Sequence, residues 1–96
     1  MTSPVFDALI HAPGRLQICA ILSSVDAEFA MLRDAIKVSD SVLSKHLKQL
    51  EEAGYLKPRK AAVDGRQRTW LSLTAKGRKA FAAHVAELTR LAGMAG

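Results

Sequence analysis

Ser41, Ser44, Lys45 and Lys48 lie close together in the chain and, at the helical repeat, share the side opposite Leu43, Leu47 and Leu50. Two hydroxyls and two ammoniums offer hydrogen-bond donors and positive charge, which is chemistry for holding an anion rather than for moving protons. The groups that catalysis requires are scattered: His11, His46 and His84 fall on three separate predicted elements. No glycine-rich phosphate loop occurs, and no pair of His or Cys has metal-ligand spacing. Cys19 stands in the apolar run Leu16, Ile18, Cys19, Ile21 and Leu22, where a lone cysteine reads as a small core residue. The expectation is a protein with no catalytic residue, no metal and no cofactor.

The charge distribution points the same way. The chain has 96 residues, 49% of them hydrophobic and 24% charged, which fits one small globular domain. Its formal net charge is +5, and the excess is local. Between Lys57 and Lys79 eight basic residues face one acid, Asp64, giving +7, while the rest of the chain sums to −2. Such a concentrated block is the footprint of a surface that meets a polyanion. No secretory leader and no run of about 18 apolar residues is present, so a cytoplasmic protein without a membrane partner is expected.

The elements that carry these residues follow from periodicity. Val5, Phe6, Leu9 and Ile10 predict a short first helix after Pro4, and Pro13-Gly14 introduces a second through Leu22. A third runs from Phe29 to Ile36. Only Lys37 and Val38 separate it from a fourth, capped by Ser39 or Asp40, anchored by Leu43, Leu47 and Leu50, and stopped at Gly54. Its exposed face carries Ser41, Val42, Ser44, Lys45, Lys48 and Gln49. Two amphipathic helices joined this tightly make a helix-turn-helix, although glycine is absent from the turn. From Tyr55 the period changes to two, and Asp64-Gly65 between alternating runs predicts a β-hairpin. Thr69, Leu71 and Leu73 should face inward and Arg68, Trp70 and Ser72 outward, with Trp70 packing on the hairpin or a partner. Pro58 lacks an amide donor, so its strand is an edge or is broken there. Thr74 caps a last helix with Phe81, His84, Val85, Leu88 and Leu91 on one side.

Four helices, a basic two-stranded hairpin and a final helix make an α+β, mostly helical winged helix-turn-helix with helical termini. A helix about 10–12 Å across fits the major groove of B-DNA, and a basic hairpin beside it reaches the flanking backbone or minor groove. The runs Ser44-Lys45-His46-Leu47, Leu50-Glu51-Glu52-Ala53-Gly54-Tyr55-Leu56 and Leu73-Thr74-Ala75-Lys76-Gly77-Arg78 resemble those of small winged-helix transcription regulators related to the MarR and ArsR families. The resemblance spans roughly Pro13 to Phe81. It implies base contacts from Ser41, Val42 and Lys45, phosphate contacts from Ser44, His46 and Lys48, and wing contacts from Arg66 and Arg68. Each has a plainer reading: Lys48 can pair with Glu52 four residues on, and His46 can hydrogen-bond within the domain. ArsR-type metal sensors often use a cysteine cluster, which this sequence lacks.

The whole chain, 1–96, is expected to form one domain whose terminal helices, about 4–11 and 75–92, contribute to dimerisation. Val5, Phe6 and Leu9 at one end and Phe81, Val85, Leu88 and Leu91 at the other carry more apolar surface than so small a core absorbs. The resulting expectation is a sequence-specific regulator, homodimeric on a palindromic double-stranded DNA operator, with any small-molecule effector unidentified and placed between the terminal helices and the core. A winged helix used for protein assembly without DNA readout is the alternative, and RNA binding a weaker one.

Overall fold

The computed structural model describes residues 3–95; Met1, Thr2 and Gly96 of the expected domain lie outside them. Five helices and three strands follow in the order α1 (Ala8–His11), α2 (Arg15–Leu22), β1 (Ala27–Glu28), α3 (Phe29–Ile36), α4 (Asp40–Glu52), β2 (Leu56–Val63), β3 (Arg66–Leu73) and α5 (Ala75–Met94). Ile10, Ile18, Leu22, Leu32, Leu43 and Leu50 are fully buried, so α1 to α4 share one core, closed on its remaining side by Leu56, Leu71 and Leu73 of the strands. Cys19 is buried in that core, and burial pushes its thiol up to about 11, which keeps it protonated and inert.

Local signals set most of the boundaries. Ser39 Oγ accepts from the Val42 amide at 3.2 Å to start α4. Its end is a Schellman motif: Gly54, at φ +80°, donates to the Glu51 carbonyl, and Tyr55 to the Leu50 carbonyl, both at 2.9 Å. The turn between α3 and α4 does without glycine because Lys37 itself adopts the left-handed conformation, φ +57°. Asp64 and Gly65, both at positive φ, close the hairpin. Thr74 Oγ1 accepts from the Gly77 amide at 3.0 Å and starts α5.

Three expectations need correction. The first helix does not begin at Pro4: Asp7 caps it, taking the Ile10 amide at 3.1 Å, and the preceding residues run extended along α5, with the Val5 amide on the Ala83 carbonyl at 3.0 Å. The expected two-stranded hairpin is present as β2-β3, but a third strand not expected from the sequence joins it: Ala27 and Glu28 pair with Leu71 and Trp70, giving the order β1-β3-β2. Thr69 is exposed rather than buried, since it shares the face of Leu71 but lies farther out, where the hairpin has passed beyond the core. Pro58 does sit on an edge strand, and Trp70 is half-buried between the register positions of Glu28 and Arg59.

The N-terminal segment is clasped to α5 by a polar chain. His84 is fully buried; its Nδ1 accepts from the Asp7 amide at 3.0 Å and its Nε2 meets His11 Nδ1 at 3.1 Å. Nδ1 therefore holds a lone pair, and Nε2 carries the proton and donates it to His11. Phe6 packs on both rings, with centroids 4.8 and 4.9 Å away. Asp7 also accepts from the Tyr55 hydroxyl at 2.7 Å, a bond that with burial pushes the phenol up to about 12.

Two outcomes follow. Burial first, and then the His11 charge, hold His84 below the ordinary histidine range. As pH falls below about 6.5 the unfolded chain takes up the proton before the folded one, so stability decreases with acidity. Urea denaturation between pH 7.5 and 5 should show this loss, and His84→Gln should flatten it while lowering stability at neutral pH; His46, shifted the same way, leaves a residual slope. Separately, a Cβ on Gly77 would lie 2.0 Å from the Tyr55 carbonyl oxygen. Gly77→Ala must move backbone and should cost about 1–3 kcal/mol in the same assay.

Candidate nucleic-acid interface

The expected interface divides between one helix and one hairpin. In α4 the leucine stripe holds Leu43, Leu47 and Leu50 against the core, which leaves Ser41, Val42, Ser44, Lys45 and Lys48 exposed on the outer side, Val42 by 41%. The helix N-terminus adds free backbone amides and a positive dipole end close to the two serines. Asp40 is the acid of that first turn, and Arg33 on α3 bonds it at 3.1 Å while also holding Asp34 at 3.0 Å. The pair spans the tight turn and offsets negative charge where a phosphate would approach. Glu51 and Glu52 are exposed at the opposite end of α4.

His46 stands apart from these exposed groups. It is half-buried, turned off the outer side toward α2, where Nδ1 lies 3.3 Å from Arg15 Nη1 and the ring stands over Gly14. A Cβ on Gly14 would come within 2.7 Å of its Nε2, so this packing needs the glycine. Burial, then the Arg15 charge, lowers its pKa, and the neutral ring accepts from the guanidinium. Helical spacing put His46 beside the exposed face; the inward pull comes from residues more than thirty positions earlier.

In the hairpin, register gathers Lys57, Arg59, Arg66 and Arg68 on the face that also bears Trp70. Two of the four are paired. Arg68 meets Glu28 at 3.1 Å, and Arg59 reaches Asp26 with Nε and Nη2 at 3.2 and 3.0 Å. Hydrogen bonding from Ser72 first, and from Arg59, lowers the Asp26 pKa. Asp64 is therefore not the only acid near the wing, as the hairpin alone suggests: β1 and the residue before it bring two more. Lys57, Lys60 and Arg66 form no ion pair among the described residues, and all three are exposed.

The expected dimer residues separate into two groups. Leu9, Phe81 and Leu88 are half-buried within the chain, whereas Val5, Phe6, Val85 and Leu91 are 57%, 47%, 40% and 41% exposed. Between the N-terminal segment and α5 lies a 270 Å³ groove lined by Val5, Asp7, Tyr55, Lys76, Lys79, Ala80 and Ala83. Among the described residues no cluster of three His, Cys, Asp or Glu could hold a metal, and no helix is long and apolar enough to cross a membrane.

The chain is similar to an uncharacterized protein of Methanocaldococcus jannaschii, 35% identical over 84 residues that cover 86% of this chain and 91% of the relative. It superimposes on the transcriptional regulator homologue protein from Pyrococcus horikoshii OT3 with a TM-score of 0.80 at 24% identity, covering 88% of this chain and 85% of that one. The smu.1704 protein of Streptococcus mutans UA159 gives 0.71 at 32% identity, with 95% and 86% covered. The family model described as a winged helix DNA-binding domain matches residues 15–92, the stretch from the first turn of α2 almost to the end of α5. By that match the chain belongs to the winged helix DNA-binding domain family.

Proposed function

We propose that this protein is a transcription regulator that reads double-stranded DNA as a homodimer, with the outer side of α4 in the major groove and the hairpin on the flanking backbone. The observation that carries the reading is the pairing of exposed donors at the α4 N-terminus with unpaired wing cations, while Asp40 is held by Arg33. Ser41, Val42 and Lys45 meet base edges. Ser44 and Lys48 meet phosphate. Arg66, with Lys57 and Lys60, supplies the wing contact; Arg68 joins only by giving up Glu28.

The homodimer is supported by α5. Its 20 residues extend about 30 Å, yet Gly77 and His84 are its only buried members among the described residues. Val5, Phe6, Val85, Leu91 and Met94 of the two terminal segments are exposed and supply apolar area of the kind a two-fold partner covers. A dimer built on these terminal segments sets two copies of α4 for half-sites about 34–36 Å apart, on a palindromic operator.

Selection from random duplex DNA should return a two-fold consensus; a protein-assembly module would return none. On the selected duplex, Lys45→Ala should relax preference at one base position by about 1–3 kcal/mol, with anisotropy titrations as the measure. Arg66→Ala should instead weaken all sequences alike and lower the salt slope by about one, and adding Arg68→Ala should lower it further only if the Glu28 pair opens on binding. In sedimentation velocity at micromolar concentration the wild type should be dimeric and a Val85→Asp, Leu88→Asp variant monomeric. A dimeric variant would assign the interface to other surfaces.

A further inference from the structure

Arg15, in the first turn of α2, bridges α1 and α4, which are not consecutive in the chain. Its Nε donates to the Leu9 carbonyl at 2.5 Å, and its Nη1 donates to Gln49 Oε1 at 2.5 Å while lying 3.3 Å from His46 Nδ1. Gly14 beside it, at φ +89°, provides the flat seat for the His46 ring. We propose that Arg15 is a positioning residue for DNA reading, fixing the roll of α4 about its own axis by gripping His46 and Gln49. The proposal rests on the reading of α4 as the base-contacting helix.

The need for such a grip is geometric. Leu43, Leu47 and Leu50 form one narrow stripe, which sets the distance of α4 from the core more firmly than its rotation. A roll of about 20° on a side-chain radius of about 5–6 Å moves a contact atom by about 2 Å, well outside hydrogen-bond tolerance. Val42, His46 and Gln49 stand at i, i+4 and i+7, so they share a flank, and holding the last two fixes the first. Val42 is one of the residues that meets bases. Arg15 is anchored in turn by Leu9, whose carbonyl belongs to the capped turn of α1, so the grip is referred to a fixed part of the domain. Its Nε and Nη1 are occupied by protein acceptors, which suits a brace better than a phosphate ligand.

The test compares wild type, Arg15→Gln, Gln49→Ala and the double variant on a selected duplex and on a random duplex across a salt series. Arg15→Gln should lower the preference for the selected duplex on the order of tenfold with the salt slope unchanged, and Gln49→Ala should add little in the Arg15→Gln background. The nuclear magnetic resonance titration of His46 should move up toward its ordinary range in Arg15→Gln, because Arg15 is the charged group that faces the ring. Gln49→Ala, a change at an exposed position, should reproduce part of the loss of preference and keeps the test available if Arg15→Gln does not fold. An unchanged preference overturns the proposal, as does a salt slope that drops by about one with preference retained, which makes Arg15 a phosphate contact. A wild type that prefers no duplex refutes the DNA-reading function itself.

Discussion

The Tyr55 backbone and side chain form the point on which the other elements are registered. Its carbonyl accepts from the Thr74 amide at 3.0 Å and lies so close to Gly77 that no side chain fits between them. Thr74 Oγ1 donates to the Gly54 carbonyl at 2.6 Å, so the end of α4, the start of β2, the end of β3 and the start of α5 are bound into one junction. The Tyr55 hydroxyl then reaches Asp7, which caps α1 and is tied to His84. One residue thus relates α4, the hairpin and the terminal clasp. Displacing it would disturb all three at once, and the Schellman turn that sets its position depends on the positive φ of Gly54.

On the surface proposed to face DNA, the charge is set by pairing as well as by the number of basic residues. The basic block between Lys57 and Lys79 gives a strong positive total in the sequence, yet Arg59 and Arg68 are matched by Asp26 and Glu28. Among the described residues, Lys57, Lys60 and Arg66 on the hairpin and Lys45 and Lys48 on α4 form no ion pair, and neither do Lys37, Lys76, Arg78 and Lys79 elsewhere. These exposed pairs are individually weak, so a phosphate can compete for Arg68 at little cost. The pairs also tie the short β1 to the base of the wing and thereby orient it.

Much of this was legible in local sequence signals. Ser39, Gly54, Asp64-Gly65 and Thr74 each act within a few residues, and the expected helix or turn boundary stands beside each of them. The leucine stripe of α4 likewise identifies its buried side without any knowledge of partners. What escaped depends on contacts far apart in the chain. Strand β1 is two residues long and exists only because β3 offers an edge. The inward turn of His46 is set by Gly14 and Arg15, and the clasp at His84 by Asp7 and His11; periodicity marked His84 merely as one member of an apolar face. The late start of α1 follows from Asp7, a good capping residue whose signal was masked by the apolar spacing of Val5 and Phe6 before it.

The outer side of α4 is proposed to enter the major groove while the hairpin lies on the flank. Dimethyl sulfate protection of guanine N7, an atom of the major groove, on a duplex selected by the protein tests it most directly. Protected guanines are expected in two patches about one helical turn apart, with protection at one position of each patch lost in Lys45→Ala. Tight binding with no protected guanine in the major groove would contradict it.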